Sequence, residues 1–222
     1  MADNAPGVTA DEIKFGQTAP FSGPASAYSV LARTKAAYFR MINERSGVNG
    51  RKLNFITADD AYSAPRTLEQ TRRLIEQEQV TFVFNGVGPA AQIAVRPYFN
   101  ENETPQLFSA FGVFDTKGYP WTAPFFQPYD AEAAIYARYA LAKNAKAKFA
   151  VFYQNDELGK NYLKGFVEGL GAEHADALVK SLSFEVSEPT VDSQVMTLQE
   201  TGADVLLIAA SPKFTAQAIR KS

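Results

Sequence analysis

Short apolar runs alternate with longer amphipathic stretches along nearly the whole chain, and this rhythm predicts successive β-α-β units. Residues 13–18 read as a strand. Residues 27–44 read as a helix, because Val30, Leu31, Ala37, Tyr38, Met41 and Ile42 recur near the 3.6-residue period. Gly47 and Asn49-Gly50 stop that helix and turn the chain. A strand at 53–58 follows, then a helix at 65–77 carrying Leu68, Leu74 and Ile75. Pro65 suits the first turn of that helix, where its missing N–H costs nothing. Residues 80–84 form a continuous apolar run of the kind buried on both faces of a parallel sheet. A helix from about 90 through 98, bending or ending at Pro97, leads to a short fourth strand at 106–108.

The texture then changes. Residues 109–130 carry Gly112, Gly118, Pro120, Pro124 and Pro128 without helical period, which reads as a connector. Beyond it come a helix at 131–142, a strand at 148–153, and a helix at 158–170 striped by Tyr162, Leu163, Phe166, Val167 and Leu170. A strand at 177–184, a helix at 191–201, a strand at 204–209 and a helical start at Lys213 complete the series. Two such blocks predict an α/β protein of two doubly wound parallel-sheet lobes, with right-handed crossovers placing helices on both sheet faces. The expected boundaries are 1–122 for the first lobe, 123–128 for a hinge crossing and 129–222 for a partial second lobe. The chain halts at Lys221-Ser222 about two turns into a helix with no capping signal, which reads as a cut inside a longer protein.

Composition narrows the chemistry. With 46% apolar and 21% charged residues among 222, the chain suits a folded domain rather than a disordered one. Lys and Arg total 22 against 24 Asp and Glu, so no basic excess marks a nucleic-acid or anionic-membrane surface. The absence of cysteine excludes disulfides, thiolate metal sites and cysteine nucleophiles, and a single histidine, His174, excludes a multi-histidine metal site. His174 lies in a polar loop and is expected to face solvent. No apolar run approaches the roughly 20 residues that span a bilayer. The polar start, Met1 to Gly7, lacks the regions of a signal peptide; it fits either a cytoplasmic protein or an exported one in mature form.

In open parallel sheets, ligands sit beyond the carboxyl ends of the strands. That rule nominates the loops at 19–28, 59–64, 85–91, 109–115, 153–158, 185–190 and 210–213. Residues 85–91, Asn-Gly-Val-Gly-Pro-Ala-Ala, join a buried strand to a helix. Three readings stand there: glycines that let helix and strand pack, a helix N-terminus that receives a carboxylate or polar head group, and a nucleotide site. The G-x-G-x-x-A spacing is a weak dinucleotide signal, since it follows the third strand and Pro89 removes one donor. In residues 20–28, Ser26 is a candidate N-cap, and Phe21 and Tyr28 would point toward a ligand. Asp59-Asp60 suits turn and cap duty better than acid–base chemistry, because adjacent strand carboxylates face opposite ways, and Asp156-Glu157 lies before a helix, where negative charge suits the dipole and capping. No catalytic motif emerges. Neither a metal nor a cofactor is expected.

Six segments in order, IKFGQTAPFSGPASAY, NGRKLNFITADDAYS, FVFNGVGPAAQIAVRPYFN, PQLFSAFG, AVFYQNDELGKNYLKGF and LLIAASPKFTAQAIRK, resemble the periplasmic substrate-binding proteins of branched-chain amino-acid-type ABC importers. The resemblance runs from about Ile13 through the chain. It implies a type I periplasmic binding fold, a periplasmic location for the mature chain, capture of a small solute between two lobes without chemical change, and delivery to ABC permease subunits. It also implies peripheral contact with a membrane complex only, no nucleic acid, and return crossings that this chain lacks. Unpaired strand edges then offer a route to self-association. A ligand-sensing domain of a signalling system shares the fold and is the alternative.

Carried over by position, the resemblance makes Tyr28 a cleft tyrosine, Val87, Gly88 and Pro89 the carboxylate-holding loop, and Ala110, Phe111 and Gly112 the loop after the fourth strand. Leu158 and Ser211 fall where amino-acid binders carry tyrosines, and Gln127 and Tyr129 lie on the first crossing. Pro89 and Gly112 replace hydroxyl-bearing residues. Each lost hydrogen bond to a charged group costs on the order of 1.5–3 kcal/mol. The expected solute is therefore a carboxylate with an apolar or aromatic body, contacted by Phe21, Tyr28, Phe111 and Tyr153, rather than leucine.

Overall fold

The computed structural model describes residues 5–110, 112 and 116–222. Phe111, one of the expected solute contacts, lies outside the described residues. The chain divides into two compact units, one of Met1–Phe111 and Asp115–Phe126, the other of Gly112–Phe114 and Gln127–Ser222.

The first unit is a five-stranded parallel sheet of β1 (Glu12–Ala19), β2 (Lys52–Asp59), β3 (Val83–Phe84), β4 (Gln106–Ser109) and β5 (Thr122–Pro124), in the order β2-β1-β3-β4-β5. Helices α1 (Ser29–Glu44), α2 (Ala64–Arg72) and α3 (Pro89–Glu101) connect the strands, and a π-turn at Arg73–Gln77 extends α2. The α2–α3 side buries Leu74, Val83, Val95 and Phe99. Phe15 touches Phe39, Phe55 and Phe82 with ring centroids 5.0–5.2 Å apart. A fully buried ring contributes roughly 1.5–3 kcal/mol.

The second unit is a three-stranded parallel sheet of β6 (Phe149–Gln154), β7 (Leu178–Phe184) and β8 (Val205–Ala209), ordered β7-β6-β8. Helices α4 (Tyr129–Lys143) and α5 (Glu157–Leu170) build one core with Phe149, Val151 and Phe166. Helices α6 (Asp192–Gln199) and α7 (Pro212–Lys221) build the other with Phe152, Phe184 and Phe214. Phe184 lies 4.7 Å from Phe152 and 4.5 Å from Phe214.

The fold class is the one the periodicity predicts: parallel α/β sheets built from successive β-α units. Several local expectations are corrected. The stretch read as a plain connector contains β5, which pairs with β4 through Gln106–Thr122. Three residues are too few to show a period, and Pro124 is tolerated because β5 is an edge strand. The helix read as continuing through Tyr98, with a bend or early end at Pro97, runs on to Glu101. Pro97 sits on its exposed side, while Val95 and Phe99 are wholly buried and hold the turn. Ser26 is no side-chain cap; it opens a 3-10 turn, Ser26–Tyr28, that leads into α1. His174 is half-buried in a 3-10 segment, Ala172–Ala177, rather than solvent-facing in a loop. No helix among the described residues is long and apolar enough to cross a membrane.

Candidate functional site

In each sheet, consecutive β-α units leave in opposite directions from the first strand of the unit, so the sheet has a topological switch point, between β1 and β3 in the first unit and between β6 and β8 in the second. Loops leaving the carboxyl ends of those strands diverge and leave a crevice, the usual ligand position in such sheets.

In the first unit, the adjacent carboxylates Asp59 and Asp60 shape the crevice. Asp59 Oδ1 accepts from the N–H groups of Phe21 at 2.9 Å, Ser22 at 3.2 Å and Ala61 at 3.0 Å, and Oδ2 accepts from the Ser22 hydroxyl at 2.6 Å. One side chain thus ties the loop after β1 to the loop after β2. Burial pushes the Asp59 carboxyl up, but its hydrogen bonds from Ser22, Ala61 and Phe21 together hold it below its ordinary value. Asp60 is buried and accepts from the Tyr62 N–H at 2.9 Å. Burial pushes it up to about 6, with Asp59 adding to the rise and Tyr62, Thr67 and Arg66 opposing it. The pair performs the turn duty read from the sequence.

The turn they hold is unusual. Ala61 and Tyr62 both have positive φ, 49° and 60°, a conformation that costs L-residues energy and persists where surroundings impose it. Its result is to stack Tyr62 on Tyr28, centroids 6.4 Å apart and 18° from parallel. Tyr62 also faces Gly88, whose φ is +98° and whose missing Cβ would lie 2.8 Å from the ring. Gly86 is likewise filled, since a Cβ there would collide with the Gln92 amide. Both glycines of the G-x-G-x-x-A spacing therefore serve internal packing.

Phe21, Tyr28 and Ala110 pack against buried Ala19, Ala32 and Val87, and Val87 bridges Ala110 in parallel register. Pro89 opens α3 and is buried. The structure thus gathers Phe21, Tyr28, Val87, Gly88, Pro89 and Ala110 at the carboxyl ends of β1, β3 and β4. Beneath them runs a buried amide chain: Gln92 Nε2 donates to Thr18 Oγ1 at 3.2 Å, Gln106 Nε2 to Gln92 Oε1 at 3.1 Å, and Thr122 Oγ1 to Gln106 Oε1 at 3.0 Å. Sequence reading passed over Tyr62, although its loop was nominated, and over Lys35. The Lys35 amine donates to Asn85 Oδ1 and lies 5.9 Å from the Phe84 ring centre. Burial pushes it down to about 8. A hollow of about 560 Å³ in this unit lies between α1 and β2 at Arg33, Phe39, Arg40 and Phe55. It is displaced toward the amino end of β2 and away from the crevice.

In the second unit, Asp156 caps α5, its Oδ1 accepting from Leu158 N–H at 3.0 Å and Gly159 N–H at 3.3 Å. Burial pushes Asp156 up. Gln154 spans the switch point, donating to Asp156 and accepting from the Ser211 N–H at 3.3 Å. Ser211 is 1% exposed, and its Oγ has no hydrogen-bond partner among the described residues. Tyr129 stacks on Tyr162 at 4.9 Å and donates its N–H to the Gly112 carbonyl at 2.6 Å. A side chain at Gly112 would collide with Gln127 O and the Tyr129 ring. A cavity of about 290 Å³ beside the carboxyl end of β8 is lined by Tyr129, Glu132, Tyr136, Leu158, Tyr162 and residues 207–210. The structure brings Tyr129 and Leu158 together there. It leaves Gln127 exposed and packs the partly buried Tyr153 against the core formed by α4 and α5. Sequence reading took Tyr162 as a core stripe residue and passed over Glu132 and Tyr136; the i, i+4 spacing of Glu132 and Tyr136 is the signal that could have joined them. No group of three or more metal-ligating side chains is assembled among the described residues.

A family model described as periplasmic binding protein matches residues 12–221. No curated protein matches the chain. Among solved structures, a substrate-binding periplasmic protein from Ralstonia solanacearum aligns with a TM-score of 0.86 at 24% identity, covering 95% of this chain and 60% of that one. A possible leucine/isoleucine/valine-binding protein from Rhodopirellula baltica gives 0.81 at 20%, covering 99% and 60%. A solute-binding protein of an ABC transporter from Rhodopseudomonas palustris, solved with 3,4-dihydroxybenzoic acid, gives 0.77 at 19%, covering 89% and 54%. These identities show a shared fold, and the chain spans between 54% and 60% of the length of these structures.

Proposed function

Because the chain belongs to the periplasmic binding proteins, we propose that it is an extracytoplasmic solute-binding protein that captures a small carboxylate-bearing solute with an apolar or aromatic body for an ABC importer. The observation that carries this reading is the assembly of Phe21, Tyr28, Val87 and Ala110 around Gly88-Pro89 at the switch point of the first sheet. Rings supply apolar contact at roughly 25 cal/mol per Å² buried. The amino end of α3 and the half-buried Lys35 amine beside Asn85 supply positive potential for a carboxylate. On the second unit, Tyr129 and Leu158 line the cavity beside the carboxyl end of β8, and Ser211 lies buried at the amino end of α7. Gly112 and Gln127 shape the approach to Tyr129. Phe111 remains a proposed contact through the family resemblance, and the partly buried Tyr153 remains one as an apolar ring.

Binding shifts an open–closed equilibrium only through contacts that improve in the closed state, so no bond in the solute need change. The Rhodopseudomonas palustris protein bound to 3,4-dihydroxybenzoic acid supports an aromatic acid as a solute class this fold accommodates. Isothermal titration calorimetry with 3,4-dihydroxybenzoate and with leucine tests the reading. Binding of the aromatic acid at least about tenfold tighter than leucine is expected, a difference of about 1.4 kcal/mol. Tight leucine binding with no heat from the aromatic acid refutes it.

A further inference from the structure

We infer that the hollow between α1 and β2 of the first unit is a ligand site of its own, away from the crevice, which takes a small organic phosphate with an apolar body between Arg33 and Arg40. The inference goes beyond the solute-capture reading and shares no residue with it.

Arg33, Ala36, Arg40 and Asn43 fall at i, i+3, i+7 and i+10 of α1, so they form one stripe along the helix. Ala36 stands between the two arginines with no bulk beyond its Cβ, which leaves the hollow of about 560 Å³ open between them. No residue lining the hollow is acidic. Arg33 and Arg40 are exposed, and the described ion pairs, Arg73–Glu78, Lys164–Asp130 and Lys164–Glu168, do not include them. Helix α1 holds three cationic side chains, Arg33, Lys35 and Arg40, against one carboxylate, Glu44 at its last residue. The Lys35 amine is engaged with Asn85. The charge at the hollow is therefore that of the arginine pair, uncompensated by any carboxylate in its lining.

The strand beside it narrows the choice of occupant. β2 is an edge strand, and an edge invites an added strand. That route is closed at Leu53, because the Asn43 side-chain amide donates to the Leu53 carbonyl at 2.9 Å and accepts from the Leu53 N–H at 2.7 Å. The occupant is therefore a compact molecule and not an extended peptide, and the hollow's volume falls within the roughly 300–1,000 Å³ of small-molecule sites. Its head is set by the arginines. One guanidinium saturates the two oxygens of a carboxylate, whereas a phosphate monoester offers three terminal oxygens and up to two charges, enough for two guanidiniums at once. Its body is set by Phe39 and Phe55, whose rings lie 5.1 Å apart and give the hollow an apolar floor. The group received here thus differs from the carboxylate proposed for the Gly88-Pro89 loop.

Phenyl phosphate is the probe, with inorganic phosphate as the head alone and benzyl alcohol as a neutral body. Calorimetric titration of the 222-residue chain is expected to give phenyl phosphate a Kd below about 1 mM, at least about fivefold tighter than either control. Arg33→Gln and Arg40→Gln, both at exposed positions, should each weaken phenyl phosphate at least about fivefold. Ala36→Leu keeps both charges and fills the space between them with a residue that suits a helix. With circular dichroism unchanged, it should weaken phenyl phosphate about tenfold. No phenyl phosphate binding up to about 10 mM, equal affinity for phenyl phosphate and either control, or unchanged affinity in both arginine variants would overturn the inference. Displacement of bound phenyl phosphate by 3,4-dihydroxybenzoate would put the phosphate in the crevice and overturn it as well. Phenyl phosphate binding that depends on the arginines while 3,4-dihydroxybenzoate gives no heat supports this site and counts against the solute-capture reading alone.

Discussion

Asp60→Asn should change how stability depends on pH. In the folded chain Asp60 is inaccessible to solvent and its carboxyl is pushed up to about 6 from an ordinary value of 3.8. A group that holds its proton more tightly when folded contributes stability below its unfolded pKa, and that contribution is lost as pH rises through the folded value. The shift of about two units corresponds to about 3 kcal/mol, lost between roughly pH 4 and pH 6.5. Asparagine can still accept from the Tyr62 N–H but does not titrate. The variant's stability relative to the parent should therefore climb by about 3 kcal/mol across that window. Urea unfolding at pH 4, 5, 6 and 7 measures the difference, followed through the single tryptophan, Trp121, which belongs to the same unit as Asp60. Asp59→Asn supplies a contrast of opposite sign. Its carboxyl is held low, so it stabilises above its ordinary range, and the variant should lose ground as pH rises through that range. A stability difference for Asp60→Asn that stays flat within about 0.5 kcal/mol from pH 4 to pH 7 refutes the claim that a buried, proton-holding carboxyl shapes this turn.

Gly88→Ala should destabilise the first unit by about 1–3 kcal/mol, since φ +98° is strained for alanine and its methyl would press on Tyr62 at 2.8 Å. Tryptophan-monitored unfolding measures it, and solute affinity should fall with it because the Tyr28–Tyr62 stack must shift. Gly165→Ala places a methyl against the Asp130 backbone, where α5 meets α4, and should cost roughly 3 kcal/mol in the second unit by circular-dichroism melting. An unchanged melting curve would mean that the two helices do not pack as closely as this contact requires.

The alternation of strands and helices was legible because each is a local, periodic pattern. A strand needs a short apolar run and a helix an apolar face, and both can be counted along the chain. The cap role of Asp156 and the turn role of Asp59-Asp60 were legible for the same reason, since a short acidic side chain bonds to N–H groups only a few residues away. The edge strand β5 was not. Three residues, one of them proline, carry no period, and what makes 122–124 a strand is Gln106 and its neighbours some sixteen residues earlier.

The same division runs through the candidate site. Sequence reading placed Tyr28, Val87, Gly88, Pro89 and Leu158 in loops at the carboxyl ends of strands, and the fold class by itself nominates such loops. Tyr62 escaped it because a positive φ at two consecutive non-glycine residues has no local signature; the bonds of Asp59 and Asp60 impose it. Glu132, Tyr136 and Tyr162 escaped it because they meet across two helices, and i, i+4 spacing identifies the first two without revealing the third. The amino-acid order by itself determined which segments become strands and helices and that they wind into parallel sheets. Tertiary structure alone decided which side chains converge at the switch points, because convergence depends on strand order and helix packing between residues distant in the chain.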